Sequence, residues 1–145
     1  MRYVVKKKTT DSGFTLIELM IVIVIIGILA ALAIPRFMAT TTKHKQNEAK
    51  SILKQIYVNE RAYRQQGTGY WIPGGGPASA ASPQGFAPIW VEIAASARYT
   101  YTIAGDVNQF TATAISGILD DDATVDTWTI DHTGILSCVS DDASS

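Results

Sequence analysis

Cysteine occurs once in the 145 residues, as Cys138, which excludes an intrachain disulfide and any zinc site built from several cysteines. The two histidines, His44 and His132, are too few for most imidazole metal centres. A basic surplus is also missing: twelve Lys+Arg stand against thirteen Asp+Glu, a net charge of -1. A generic nucleic-acid binder carries a positive excess, so no specific nucleic-acid partner is expected. No G-x-S-x-G, H-E-x-x-H or paired Cys/His signature occurs, and Gly74-Gly75-Gly76 lacks the flanking pattern of a phosphate loop. The chain therefore reads as a non-enzyme without an organic cofactor. Charged residues make up only 17% against 47% apolar, which excludes wholesale disorder, and the length suits one folded domain.

What the chain does have is segregation. Residues 19–34 run for sixteen positions without a polar side chain, and extension back to Phe14 adds only Thr15 and Glu18 as interruptions. At ~1.5 Å per helical residue, roughly twenty residues cross the ~30 Å hydrocarbon core of a bilayer. A helix with no polar face cannot be covered by a soluble domain of the remaining size. The segment belongs in a membrane or an equally dry environment. An ordinary single-pass anchor fits. So does a cleavable secretory signal, with Arg2, Lys6, Lys7 and Lys8 as its basic region and Ala31-Leu32-Ala33 as an A-x-A cleavage site.

Neither alternative explains Glu18. A carboxylate at mid-membrane costs about 2.5–3.5 kcal/mol on insertion scales, and less near the end of the run. A group kept there needs a partner. A cut just before Phe14 would create an α-ammonium four residues away. That cation could pair with the carboxylate of a neighbouring helix in the same dry layer, where low dielectric strengthens the attraction and fixes register between identical subunits.

The string Gly13-Phe14-Thr15-Leu16-Ile17-Glu18-Leu19-Met20, with a short basic leader before it and Pro35 closing the apolar run, resembles the class III signal of type IV prepilins and pseudopilins. The resemblance is close over roughly residues 8–40. It implies that a prepilin peptidase cleaves between Gly13 and Phe14 and N-methylates Phe14. It further implies that Glu18, with Thr15 beside it, serves subunit assembly by neutralising the Phe14 amine of an adjacent copy. The charge rule leaves topology open, since four basic residues flank each side of the span. A C-terminal part outside the cytoplasm is implied by the family alone. So are the inner membrane as the first location, an inner-membrane assembly machinery as partner, and a homo-oligomeric helical filament as product.

Pro35 lacks an N–H and clashes with the carbonyl four residues back, so a kink or local opening is expected there, with Gly27 as a second weak point. The resemblance implies that 27–35 can lose helicity within the filament. Beyond it, Ala49, Ile52, Leu53, Ile56 and Tyr63 recur near helical spacing until Gln65-Gln66-Gly67 stops the helix. Residues 67–88 hold six of the eleven glycines and four of the five prolines, a long connection pinned by Tyr70, Trp71, Phe86 and Trp90. Period-two alternation follows. Tyr99, Tyr101 and Ile103 share one strand face, Gly105, Asp106, Val107 and Asn108 turn, and Phe110, Ala112 and Ala114 share the next face. Trp128 and Ile130 mark a third strand, Asp131-His132-Thr133-Gly134 a turn, and 135–139 a fourth strand with Cys138 as a small core residue. The meander buries one face on the amphipathic half of the helix, an α+β ladle. The organisation expected is leader 1–13, filament-core helix 14–35, amphipathic helix 36–66, and loop with antiparallel sheet 67–145.

Seven basic residues in 36–64 oppose only Glu48 and Glu60, whereas 92–145 has Arg98 against nine acids. In a filament the basic helix of one subunit would face the acidic sheet of another. Asp120, Asp121, Asp122 and Asp126 are the one cluster of hard oxygen ligands, and some pseudopilins hold calcium in a loop between strands. Calcium takes roughly six to eight oxygens. The EF-hand spacing is absent, and a solvated acidic turn accounts for the same residues. The expected role is a structural subunit of a type IV pilus-like filament. A type II secretion pseudopilin and a secreted soluble protein remain as alternatives.

Overall fold

The computed structural model describes residues 13–74, 76–119 and 124–141. Helix α1 occupies Leu16–Tyr63, and four strands follow: β1 (Tyr99–Gly105), β2 (Phe110–Ser116), β3 (Thr127–Asp131) and β4 (Leu136–Ser140). The fold is α+β. Two compact parts divide after Phe37.

In the first part the helical backbone continues unbroken through Gly27 and Pro35. A proline inside a helix removes one hydrogen bond and adds a clash, about 3 kcal/mol. The intact hydrogen bonds on both sides carry the helix across. No residue of Leu16–Ile34 is buried.

In the second part α1 presents a stripe to the core. Thr42, Gln46, Ala49, Leu53, Ile56 and Glu60 are all buried, and their spacing alternates four and three residues, the repeat of one helix face. Gly67, at φ +99°, ends the helical run: a left-handed residue cannot continue it, and glycine takes that conformation without a Cβ clash. The sheet is an antiparallel meander in the order β1-β2-β3-β4. Its core face carries Tyr99, Tyr101 and Ile103 from β1 and Phe110, Ala112 and Ala114 from β2, as the alternation predicts. Burying each such large side chain contributes about 1.5–3 kcal/mol.

The connection from helix to sheet is pinned, though not by all the residues expected. Tyr70 and Phe86 are buried and Trp71 packs against the core, but Trp90 is 63% exposed. Its backbone is left-handed (φ 55°), which turns the indole outward while Ile89 and Val91 on either side go in. Asn59 holds that turn by donating its side-chain N–H to the Ile89 carbonyl at 2.8 Å. Ala78 exchanges two backbone hydrogen bonds with Tyr101, which covers the outer edge of β1. The other edge is different. Pairing of β3 with β4 shifts register between Thr127 and Trp128, and this irregularity breaks the in–out alternation of β4. Cys138, paired in register opposite Trp128, is exposed rather than a core residue.

Candidate functional site

Gly13, Phe14 and Thr15 precede the helix, and Phe14 is among the most exposed apolar residues. A Cβ built on Gly13 would meet nothing within 4 Å, so the fold itself does not demand glycine there. Thr15 and Glu18 form a reciprocal cap. The Thr15 N–H and hydroxyl donate to Glu18 Oε2 at 2.8 and 2.6 Å, and the Glu18 N–H donates to Thr15 Oγ1 at 3.3 Å. This is the capping box, in which T-x-x-E satisfies otherwise orphaned amides of the first turn. Sequence reading for charge alone missed it, although Thr15-Leu16-Ile17-Glu18 spells the motif. The carboxylate is also the only acid against the positive end of the helix dipole in that turn. Among the described residues, Glu18 Oε1 has no partner.

Three of the four proposed calcium ligands, Asp120, Asp121 and Asp122, lie outside the described residues. Asp126 is buried and committed elsewhere. Its Oδ2 accepts the Tyr99 hydroxyl at 2.5 Å and the Trp128 indole N–H at 2.7 Å, and its Oδ1 accepts the Gln46 amide at 3.1 Å. Its backbone N–H donates to Ser116 Oγ. Both oxygens thus accept hydrogen bonds from side chains of the helix and the sheet. The same Gln46 amide reaches Asp141 at 2.7 Å, the Lys45 ammonium donates to the Leu119 carbonyl, and the Lys50 ammonium sits 3.8 Å above the Trp128 ring. These contacts tie the helix to the C-terminal part within one chain, and none of them pairs a basic with an acidic side chain.

Glu60 is the other buried acid. Its Oε2 accepts the Trp71 N–H at 2.9 Å, tying the connection to the helix, while Oε1 has no partner. Burial pushes its carboxyl up to about 7, partly opposed by that hydrogen bond. Between pH 4.5 and 7 the folded chain then holds a proton that the unfolded chain has released, so stability falls as pH rises through this window. Glu60→Gln should flatten the slope and raise the thermal midpoint at alkaline pH by a few degrees, measured by circular dichroism across the pH range.

The family described as Prokaryotic N-terminal methylation motif matches residues 8–34, which include the capped turn and the uncovered span. The type IV major pilin protein PilA of Myxococcus xanthus is 55% identical over 53 residues, 37% of this chain and 24% of that protein. Over these residues the chain is similar to type IV pilins. The type IV major pilin protein PilE1 of Neisseria gonorrhoeae is 43% identical over 82 residues, 52% of this chain and 34% of the relative. The type II secretion system core protein G of Pseudomonas aeruginosa is 41% identical over 64 residues, 44% of this chain and 45% of the relative. The pilin-like chain thus spans between a quarter and a half of the length of these relatives. No solved structure matches. The α+β fold, with a long apolar N-terminal helix and an antiparallel sheet, is a pilin-like one.

Proposed function

We propose that this chain is a structural subunit of a type IV pilus-like filament. A prepilin peptidase cleaves it between Gly13 and Phe14 and methylates Phe14, and the N-terminal helix then carries it from the inner membrane into the filament. The observation that carries the reading is a span with no residue buried that nevertheless begins on a carboxylate. So many exposed Leu, Ile and Val side chains represent roughly tens of kcal/mol of unrealised burial, which lipid first and then neighbouring helices supply. Glu18 Oε2 is used by the cap, and Oε1 remains for the Phe14 ammonium of an adjacent copy. A structural role without enzymatic activity agrees with the pilins among the relatives.

Replacement of Gly13 tests the processing step. Nothing in the fold opposes a side chain at that position, so Gly13→Leu should fold normally. It should nevertheless accumulate as the uncleaved precursor, seen by mass spectrometry of membranes from cells containing the peptidase. A second reading, a periplasmic pseudopilin of type II secretion, is favoured by the identity to core protein G. Filaments on the cell surface support the pilus. Loss of protein secretion in a deletion strain, without surface filaments, supports the pseudopilin.

A further inference from the structure

The last turn of α1 and the chain just beyond it build a basic site remote in sequence from the assembly segment. Arg61, Arg64, Gln65 and Tyr70 line one open depression of about 320 Å³. Both guanidinium groups are held in place. Arg61 donates to the Tyr57 hydroxyl at 3.1 Å, and Arg64 donates to the Tyr70 hydroxyl at 3.2 Å while its guanidinium carbon lies 4.8 Å from the centre of that ring. Tyr70 itself is fixed: it is buried, its N–H donates to the Val107 carbonyl at 3.1 Å, and its ring meets Phe110 edge-on at 4.8 Å. Gly69 allows this approach, since a Cβ there would stand 2.7 Å from the Val107 carbonyl oxygen. The depression thus has a buried tyrosine at its base, and each exposed guanidinium beside it is oriented by one hydrogen bond to a tyrosine hydroxyl.

Neither guanidinium forms an ion pair among the described residues. The nearest acid in sequence, Glu60, is turned into the core onto the Trp71 N–H. Asp106 lies in the turn beside an adjoining depression that shares Arg64, and it accepts the Asn108 and Gln109 N–H groups of its own turn. His132 approaches Tyr70 with ring centres 6.5 Å apart. The negative end of the α1 dipole opposes an anion by about 0.3–1 kcal/mol. Each charge-assisted hydrogen bond contributes roughly 1.5–3 kcal/mol, so two arginines outweigh it.

The geometry points to Arg61, Arg64 and the Gln65 amide as a binding site for a dianionic phosphate group. Two cations and one amide donor match a group with two negative charges and three free oxygens, whereas a carboxylate would satisfy one guanidinium only. A soluble phosphomonoester and a phosphomonoester lipid share this chemistry.

The test uses the full chain in neutral detergent at about pH 8, where the second phosphate proton is released. Calorimetric titration with inorganic phosphate should show one site per chain, at least about tenfold tighter than acetate at equal ionic strength. Arg61→Gln and Arg64→Gln should each weaken binding by about tenfold or more, one charge-assisted hydrogen bond's worth. Arg61→Lys, which keeps the charge and the fold but loses the fork, should weaken it as well. Binding that fails to distinguish phosphate from acetate, or that survives all three substitutions, overturns the assignment. Micelles doped with phosphatidic acid, compared with phosphatidylcholine, identify the source. Arginine-dependent binding to phosphatidic acid marks a lipid, and arginine-dependent binding to inorganic phosphate alone marks a soluble compound.

Discussion

Glu18→Gln should leave cleavage intact and reduce filament yield by about tenfold or more, because a hydrogen bond to a charged group contributes roughly 1.5–3 kcal/mol. The capping geometry makes Gln the informative replacement. Alanine would remove both the charge and the acceptor that holds the Thr15 N–H, whereas glutamine keeps an oxygen in the T-x-x-E/Q pattern. Thr15→Ala is the complementary variant. It weakens the cap, worth about 0.5–2 kcal/mol of helix stability, and keeps the carboxylate. Processing is read from the mass of the product and assembly from sheared filament yield. The ion-pair account requires Glu18→Gln to be the more damaging of the two. If Thr15→Ala alone abolished filaments, the carboxylate would matter as a cap and not as a partner for the neighbouring amine.

Asp126→Ala should be the most destabilising single change in the C-terminal part. It removes the acceptor of three donors at once: the Tyr99 hydroxyl, the Trp128 indole N–H and one N–H of the Gln46 amide, which keeps Asp141 as its other acceptor. Each unsatisfied buried group costs about 1–3 kcal/mol, and with some relaxation the total should reach about 3–5 kcal/mol. For a domain of this size that lowers the thermal midpoint by roughly 10 °C or more. Asp126→Asn preserves shape and one acceptor but turns a second amide toward Gln46, so it should fall between the two. Equal midpoints for wild type and Asp126→Ala would mean that the network does not hold the strands to the helix.

The particular residues show why some of this was legible in the sequence and some was not. The strand faces were readable because Tyr99, Tyr101 and Ile103, then Phe110, Ala112 and Ala114, repeat at the period of the pleat and are large or apolar enough to bury. The apolar span was readable for the same reason. The core stripe of α1 was readable only in its middle. Thr42, Gln46 and Glu60 keep its spacing, but a polarity pattern assigns such residues to solvent. Their burial depends on partners far along the chain, Asp126 for Gln46 and the Trp71 N–H for Glu60. Asp126 was grouped with its acidic neighbours by proximity, while its chemistry comes from Tyr99 and Trp128 in the sheet. Trp90 is exposed because a left-handed residue reverses the side-chain direction that composition suggests, and Cys138 because its strand forms the exposed edge of the sheet. At the assembly segment, Glu18 stands out in the sequence as an acid in an apolar run, while its hydrogen bonds to Thr15 are seen only in the geometry.

The central claim is that processing exposes an amine for Glu18 to meet, and the mature N-terminus tests it most directly. Mass spectrometry and N-terminal sequencing of the protein purified from its native membrane or filament should give a chain starting at N-methylated Phe14. A chain starting at Ile34, as an A-x-A signal would produce, or one retaining residues 1–13 throughout, would contradict the account.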